Sequence, residues 1–189
     1  MEALVTLLMA FGIVAVAELG DKTQLLTLSL SSRHSRRTTF LGAMTGIGLV
    51  TVVGVAVGIA LYASLPIFWI KIASAGLFIV FGIWTLLRRE GRVEVREVPE
   101  GKVYLQSLLL IALAEFGDKT QLAVVALTAS SGLPLAVLTG ALLGFALIAA
   151  IGVMIGKEIG RRVEMKWIVL ASGMLFIVIG TILVVEVVL

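Results

Sequence analysis

Two nearly identical nonapeptides, AELGDKTQL at Ala17 to Leu25 and AEFGDKTQL at Ala114 to Leu122, each set two carboxylates and a lysine inside a long apolar run. Glu18 and Asp21 stand three residues apart, as do Glu115 and Asp118, a spacing that puts each pair on one face of a helix. Lys22 and Lys119 follow directly, and Thr23, Gln24, Thr120 and Gln121 add neutral oxygens, as further ligands or as supports behind the acids. Gly20 and Gly117 weaken a helix where they stand and favour local unwinding, which would expose backbone carbonyls as further ligands. The result is an oxygen-only donor set. It suits hard divalent cations, because Ca²⁺ takes about six to eight oxygens and Mn²⁺ accepts carboxylate, carbonyl and water. Mg²⁺ fits less well because it gives up water reluctantly. Zn²⁺ and copper would recruit His or Cys, and the chain has no cysteine and a single histidine, His34, in a basic loop.

Ionisable groups at bilayer depth are costly, so their duplication needs a reason. Together the motifs hold four carboxylates and two lysines, a formal −2 that one divalent ion neutralises. Crowded carboxylates taken out of water resist ionising together, so protons are expected to replace a departing cation. Two protons for one divalent ion keep the charge of the pocket constant, which is the chemistry of M²⁺/H⁺ exchange. Lys22 and Lys119 are expected to pair with acidic residues across the two motifs, as static ion pairs or as groups that release carboxylates during a transport cycle. A purely structural tie needs one acid per lysine, whereas here the acids outnumber the lysines two to one.

The elements that must position these groups are membrane helices. Of 189 residues, 60% are hydrophobic and 14% charged, far from a soluble globular composition. Six apolar stretches, at 3–30, 38–63, 66–87, 103–129, 134–157 and 167–188, reach or approach the ~20 residues needed to cross ~30 Å of hydrocarbon. They lack the alternation of barrel strands and are therefore read as helices. Met1 to Ala17 lacks the basic start of a signal peptide and runs straight into the first motif, so it reads as the first membrane helix. Twelve of the fifteen lysines and arginines fall in three segments, around Arg33 to Arg37, Arg88 to Lys102 and Lys157 to Lys166. The positive-inside rule places those segments in the cytoplasm and both termini outside.

The whole chain repeats. Glu18 maps onto Glu115 at an offset of 97, and at 98 Gly42, Gly46, Gly54 and Gly58 become Gly140, Gly144, Gly152 and Gly156. Trp69, Ser74, Phe78 and Gly82 likewise become Trp167, Ser172, Phe176 and Gly180. The expected organisation is a three-helix repeat at 1–87, a charged cytoplasmic linker at 88–102 and a second three-helix repeat at 103–189. Three is odd, so the second repeat enters the membrane from the opposite side, and a pseudo-two-fold axis can bring both motifs face to face at the midplane. The regularly spaced glycines are expected to pack the helices that carry them closely against the motif helices. Ser74 and Ser172 read as helix-packing hydroxyls.

At these residues the chain resembles the Golgi and bacterial cation/proton antiporter family defined by two E-x-G-D-[KR]-[TS] motifs, matched in full at Glu18 to Thr23 and Glu115 to Thr120. The resemblance covers all six apolar stretches. It implies exchange of Mn²⁺ and/or Ca²⁺ for H⁺ by an integral membrane transporter that is not an enzyme, with Glu18, Asp21, Glu115 and Asp118 as the ion site and no resident cofactor. Eukaryotic members carry a targeting region and a longer middle loop, so the resemblance points to a prokaryotic plasma membrane for this chain. The inward proton gradient expected there would drive the divalent ion out of the cytoplasm. Rival readings are an exporter of another cation or an amino acid on a similar inverted repeat, a cation channel, and an intramembrane aspartyl protease. The protease reading is weakened by Glu18 and Glu115, which stand where that group's G-x-G-D motif has glycine, and by lysines beside both aspartates.

Overall fold

A computed structural model describes residues 1–19, 21–87, 102–162 and 165–188, with side chains described throughout these except at positions 22, 25, 32, 33, 155–162, 165–169 and 188. The expectations for Gly20, for the Lys22 side chain and for the linker up to residue 101 therefore lie outside the described residues. The described chain is all helical: α1 (Glu2–Glu18), α2 (Lys22–Arg33), α3 (Arg36–Ser64), α4 (Ile67–Leu87), α5 (Val103–Glu115), α6 (Lys119–Ser131), α7 (Pro134–Arg162) and α8 (Met165–Val188).

Four of the six apolar stretches fold as the single helices expected of them, and in α3, α4, α7 and α8 a segment is long and apolar enough to cross a membrane. The other two do not. The stretch at 3–30 is divided into α1 and α2, and the stretch at 103–129 into α5 and α6, each break falling inside the E-x-G-D motif. At Leu19 the backbone leaves the helix for extended angles (φ −61°, ψ 115°), and Phe116 does the same (φ −66°, ψ 118°). Asp21 N–H then donates to Glu18 O at 3.1 Å, and Asp118 N–H to Glu115 O at 3.1 Å, closing equivalent tight turns. Gly117 has φ +76°, a left-handed conformation that only glycine adopts without penalty. Asp21 and Asp118 become the N-cap residues of α2 and α6, where a carboxylate faces the positive end of a helix dipole. The glutamate and aspartate of each motif thus meet through a turn, not along one continuous helical face.

Glycines set the packing, as the spacing anticipates. A Cβ on Gly42 would lie 2.5 Å from Tyr104 O, and one on Gly46 2.5 Å from Leu108 O, so α3 touches α5 backbone to backbone. The register ascends on both helices, so they run parallel. The equivalent pair repeats it: a Cβ on Gly140 would collide with Leu7 O, and one on Gly144 would lie 2.9 Å from Phe11 O, which seats α7 on α1. Further along, Gly54 faces Gln121 of α6 and Gly152 faces Gln24 of α2. In lipid, where apolar side chains gain nothing by leaving their surroundings, such close dispersion contact is what joins helices. The remaining helices, α4 and α8, pair with each other through Gly82 against Gly173 O and Gly180 against Ala75 O. There the equivalent residues Phe78 and Phe176 stack on one another at 5.9 Å, both fully buried.

Candidate functional site

The two turns point their carboxylates into the interior. Glu18 and Glu115 are each 1% exposed and Asp21 is 4% exposed, so these acids are withdrawn from solvent. Carboxylate oxygens of Glu18, Asp21 and Asp118 all lie within 4.8 Å of one another. Oxygens within that span are close enough to share one hard divalent cation, which Ca²⁺ sites hold at about 2.3–2.6 Å from each ligand. The second oxygen of Asp21, Oδ2, is buried and has no hydrogen-bond partner among the described residues. A buried carboxylate oxygen without a donor is costly to keep and is ready to accept a cation.

Reciprocal bonds tie one motif to the other. Thr120 Oγ1 donates to Glu18 Oε1 at 2.5 Å, and Thr23 Oγ1 donates to Glu115 Oε1. Lys119 Nζ lies 3.0 Å from Asp21 Oδ1, with both side chains buried, so the expected ion pair between motifs is present for this lysine. Glu115 enters the site through its bond to Thr23, while the tight trio is Glu18, Asp21 and Asp118.

The neutral side chains divide. Gln24 is buried and, with Glu18, Thr23 and Thr27, lines a small cavity closed by Ile47, Phe145, Ile148 and Ala149. Gln121 is turned elsewhere: its Oε1 accepts the Gly117 N–H at 2.6 Å and its amide donates to Val50 O at 3.4 Å. Its carbonyl oxygen therefore holds the turn that presents Glu115 and Asp118. Thr27, fully buried with its hydroxyl on Thr23 O at 2.7 Å, belongs to the cavity although the motif does not include it. Its place four residues after Thr23, on the same face of α2, is the signal by which sequence reasoning would have found it. Ser74 and Ser172 act as packing hydroxyls, donating to Ala126 O at 3.3 Å and to Val16 O at 2.6 Å.

The chain is similar to several known proteins. A profile described as "Divalent cation/proton antiporter GDT1" matches residues 6–92 and 103–188. A GDT1-like protein of the cyanobacterium Synechocystis is 32% identical over 87% of this chain and 89% of its own length. The divalent cation/proton antiporter GDT1 of Saccharomyces cerevisiae is 26% identical over 90% of this chain and 80% of its own. Protein PAM71 of Arabidopsis thaliana chloroplasts is 29% identical over 95% of this chain, which spans 56% of that longer relative. No solved structure matches.

Proposed function

The chain belongs to the GDT1 family of divalent cation/proton antiporters, and on that premise we propose that it exchanges Mn²⁺ and/or Ca²⁺ for protons by alternating access, exporting the cation from the cytoplasm. The observation that carries the reading is the convergence of the buried Glu18 and Asp21 from one motif with the half-buried Asp118 from the other into a single trio. One motif alone does not build the site, so its ligands separate or regroup when the two halves move relative to each other. That is the property a carrier needs.

On this reading the chain forms six membrane passes. The broken pairs α1/α2 and α5/α6 each make one pass and the two halves are inverted, with both termini outside and the segments at 33–37, 88–102 and 157–166 in the cytoplasm. Glu18, Asp21, Glu115 and Asp118 supply the anionic oxygens. Thr23 and Thr120 orient the two glutamates through their hydroxyls, and Lys119 offsets the charge of Asp21. Gln24 offers a neutral oxygen beside Glu18. When the cation leaves, two protons keep the carboxylates from repelling one another in a low dielectric. Of the two lysines that could meet a substrate carboxylate in an amino-acid carrier, Lys119 is engaged with Asp21. A prokaryotic plasma membrane is the proposed location.

Selectivity is tested with purified protein in liposomes, by measuring uptake of Mn²⁺ while Ca²⁺ or Mg²⁺ competes. Mn²⁺ and Ca²⁺ should compete with each other and Mg²⁺ only weakly. Strong competition by Mg²⁺ would overturn the assignment of the cargo.

A further inference from the structure

The two backbone-to-backbone interfaces built by the repeated glycines have the same register but different chemistry. Between α3 and α5, a Cβ on Gly42 would meet Ser107 Cβ at 2.9 Å. Between α7 and α1, a Cβ on Gly140 would meet Ala10 Cβ at the same distance. Ser107 therefore occupies the place of Ala10. Thr39, one turn before Gly42, occupies the place of Val137, and Gln106 that of Met9. Three polar side chains on this part of α3 and α5 stand where α7 and α1 carry three apolar ones.

Thr39 and Ser107 are fully buried, and Thr39 Oγ1, Ser107 Oγ and Gln106 Oε1 are all without a hydrogen-bond partner among the described residues. Packing does not require them, since Val137 and Ala10 fill the same places in the other interface. Buried polar atoms lacking protein partners are the setting in which proteins hold internal water, which needs about two to four polar neighbours. The place of these groups is also informative. They lie at the end of the bundle that carries Arg36, Arg37 and Lys102. Ser107, Ile111 and Glu115 follow one another at helical spacing on one buried face of α5, so Ser107 stands about 12 Å, two turns, from the glutamate.

We propose that Thr39, Gln106 and Ser107 form a buried hydration site between α3 and α5 and line the wetted approach to the carboxylates from the basic end of the bundle, an approach the α1/α7 interface lacks. The second half of the proposal rests on the transport reading given above. The hydration itself does not.

The chain contains no cysteine, so one thiol can be placed at Ser107 and, as an internal control, at Ala10. A thiol reacts as its thiolate, which forms where water reaches it. In membrane vesicles that expose the basic end, a methanethiosulfonate reagent should modify S107C about tenfold faster than A10C exposed from the other face. Equally slow modification of both would overturn the hydration site. The double variant Thr39→Val with Ser107→Ala copies side chains already packed between α1 and α7 and is expected to fold. It should bind Mn²⁺ in calorimetry as the parent does but transport it severalfold more slowly. Unchanged transport would overturn the role as an approach. Failure of the transport reading would look different: the unsubstituted protein itself would show no proton-coupled uptake.

Discussion

Thr120 in the second motif donates its hydroxyl to Glu18 in the first at 2.5 Å, and Thr23 returns the bond to Glu115. Each half of the chain thus orients the glutamate of the other. The site is shared because its hydrogen bonds are shared, and local changes in one motif should be felt in both.

Replacing Thr120 by Val removes the hydroxyl donor to Glu18 Oε1 while keeping the shape. Leaving a buried carboxylate one donor short costs about 1.5–3 kcal/mol, so the cation-free protein should unfold at lower temperature. Saturating Mn²⁺ or Ca²⁺ should recover much of the loss, and Thr120→Ser should show little of it. Thermal unfolding in detergent with and without the ion checks this.

Lys119→Met leaves Asp21 buried beside Glu18 and Asp118 without its ammonium partner. Breaking one side of a buried pair is destabilising by about 3–5 kcal/mol. Adding Asp21→Asn should restore most of that stability but not transport, because the pair is replaced while a cation ligand is lost. A double-mutant cycle on unfolding, run beside a flux assay, separates the two effects.

Gly46→Ala puts a methyl against Leu108 O and should cost about 1–3 kcal/mol by forcing α3 away from α5. Gly48→Ala, two residues on, meets nothing within 4 Å and should be neutral or stabilising by up to about 1 kcal/mol. Parallel unfolding curves of the two variants show whether close helix approach, and not glycine content as such, matters.

Gly117→Ala also meets nothing within 4 Å, so any defect it causes comes from the left-handed backbone, at roughly 1–2 kcal/mol. Gly117→Asn should be milder, since asparagine tolerates that conformation. Equal defects in the two variants, seen by unfolding and cation affinity, would mean that the turn is not what glycine serves.

Much of this was legible in the residues alone, and the reasons differ from case to case. The duplicated motif announced paired acids, and the excess of carboxylate over lysine announced a cation, because both are matters of count and spacing. The pairing of Lys119 with Asp21 followed from the cost of a lone charge in lipid. The breaks at Leu19 and Phe116 were half visible: Gly20 and Gly117 favoured unwinding there, but continuous apolar sequence on both sides reads as one helix, and the left-handed Gly117 with the aspartate caps reveals two. Gln121 was read as a supporting oxygen, but what it supports emerged only with the break: there the Gly117 N–H needs an acceptor and the amide oxygen supplies it. Thr39 and Ser107 carried no motif, and they became informative only when the matching interface showed Val137 and Ala10 in their places.

The most direct test of shared cation and proton occupancy is simultaneous recording of divalent cation flux and internal pH in liposomes holding the purified protein, with Glu18→Gln and Glu115→Gln as companions. Cation uptake should be accompanied by proton release from the lumen, an imposed pH gradient should drive uptake against the cation gradient, and either substitution should abolish both. Cation flux that proceeds without proton movement, or that survives either substitution intact, would contradict a site in which the two glutamates serve one exchange.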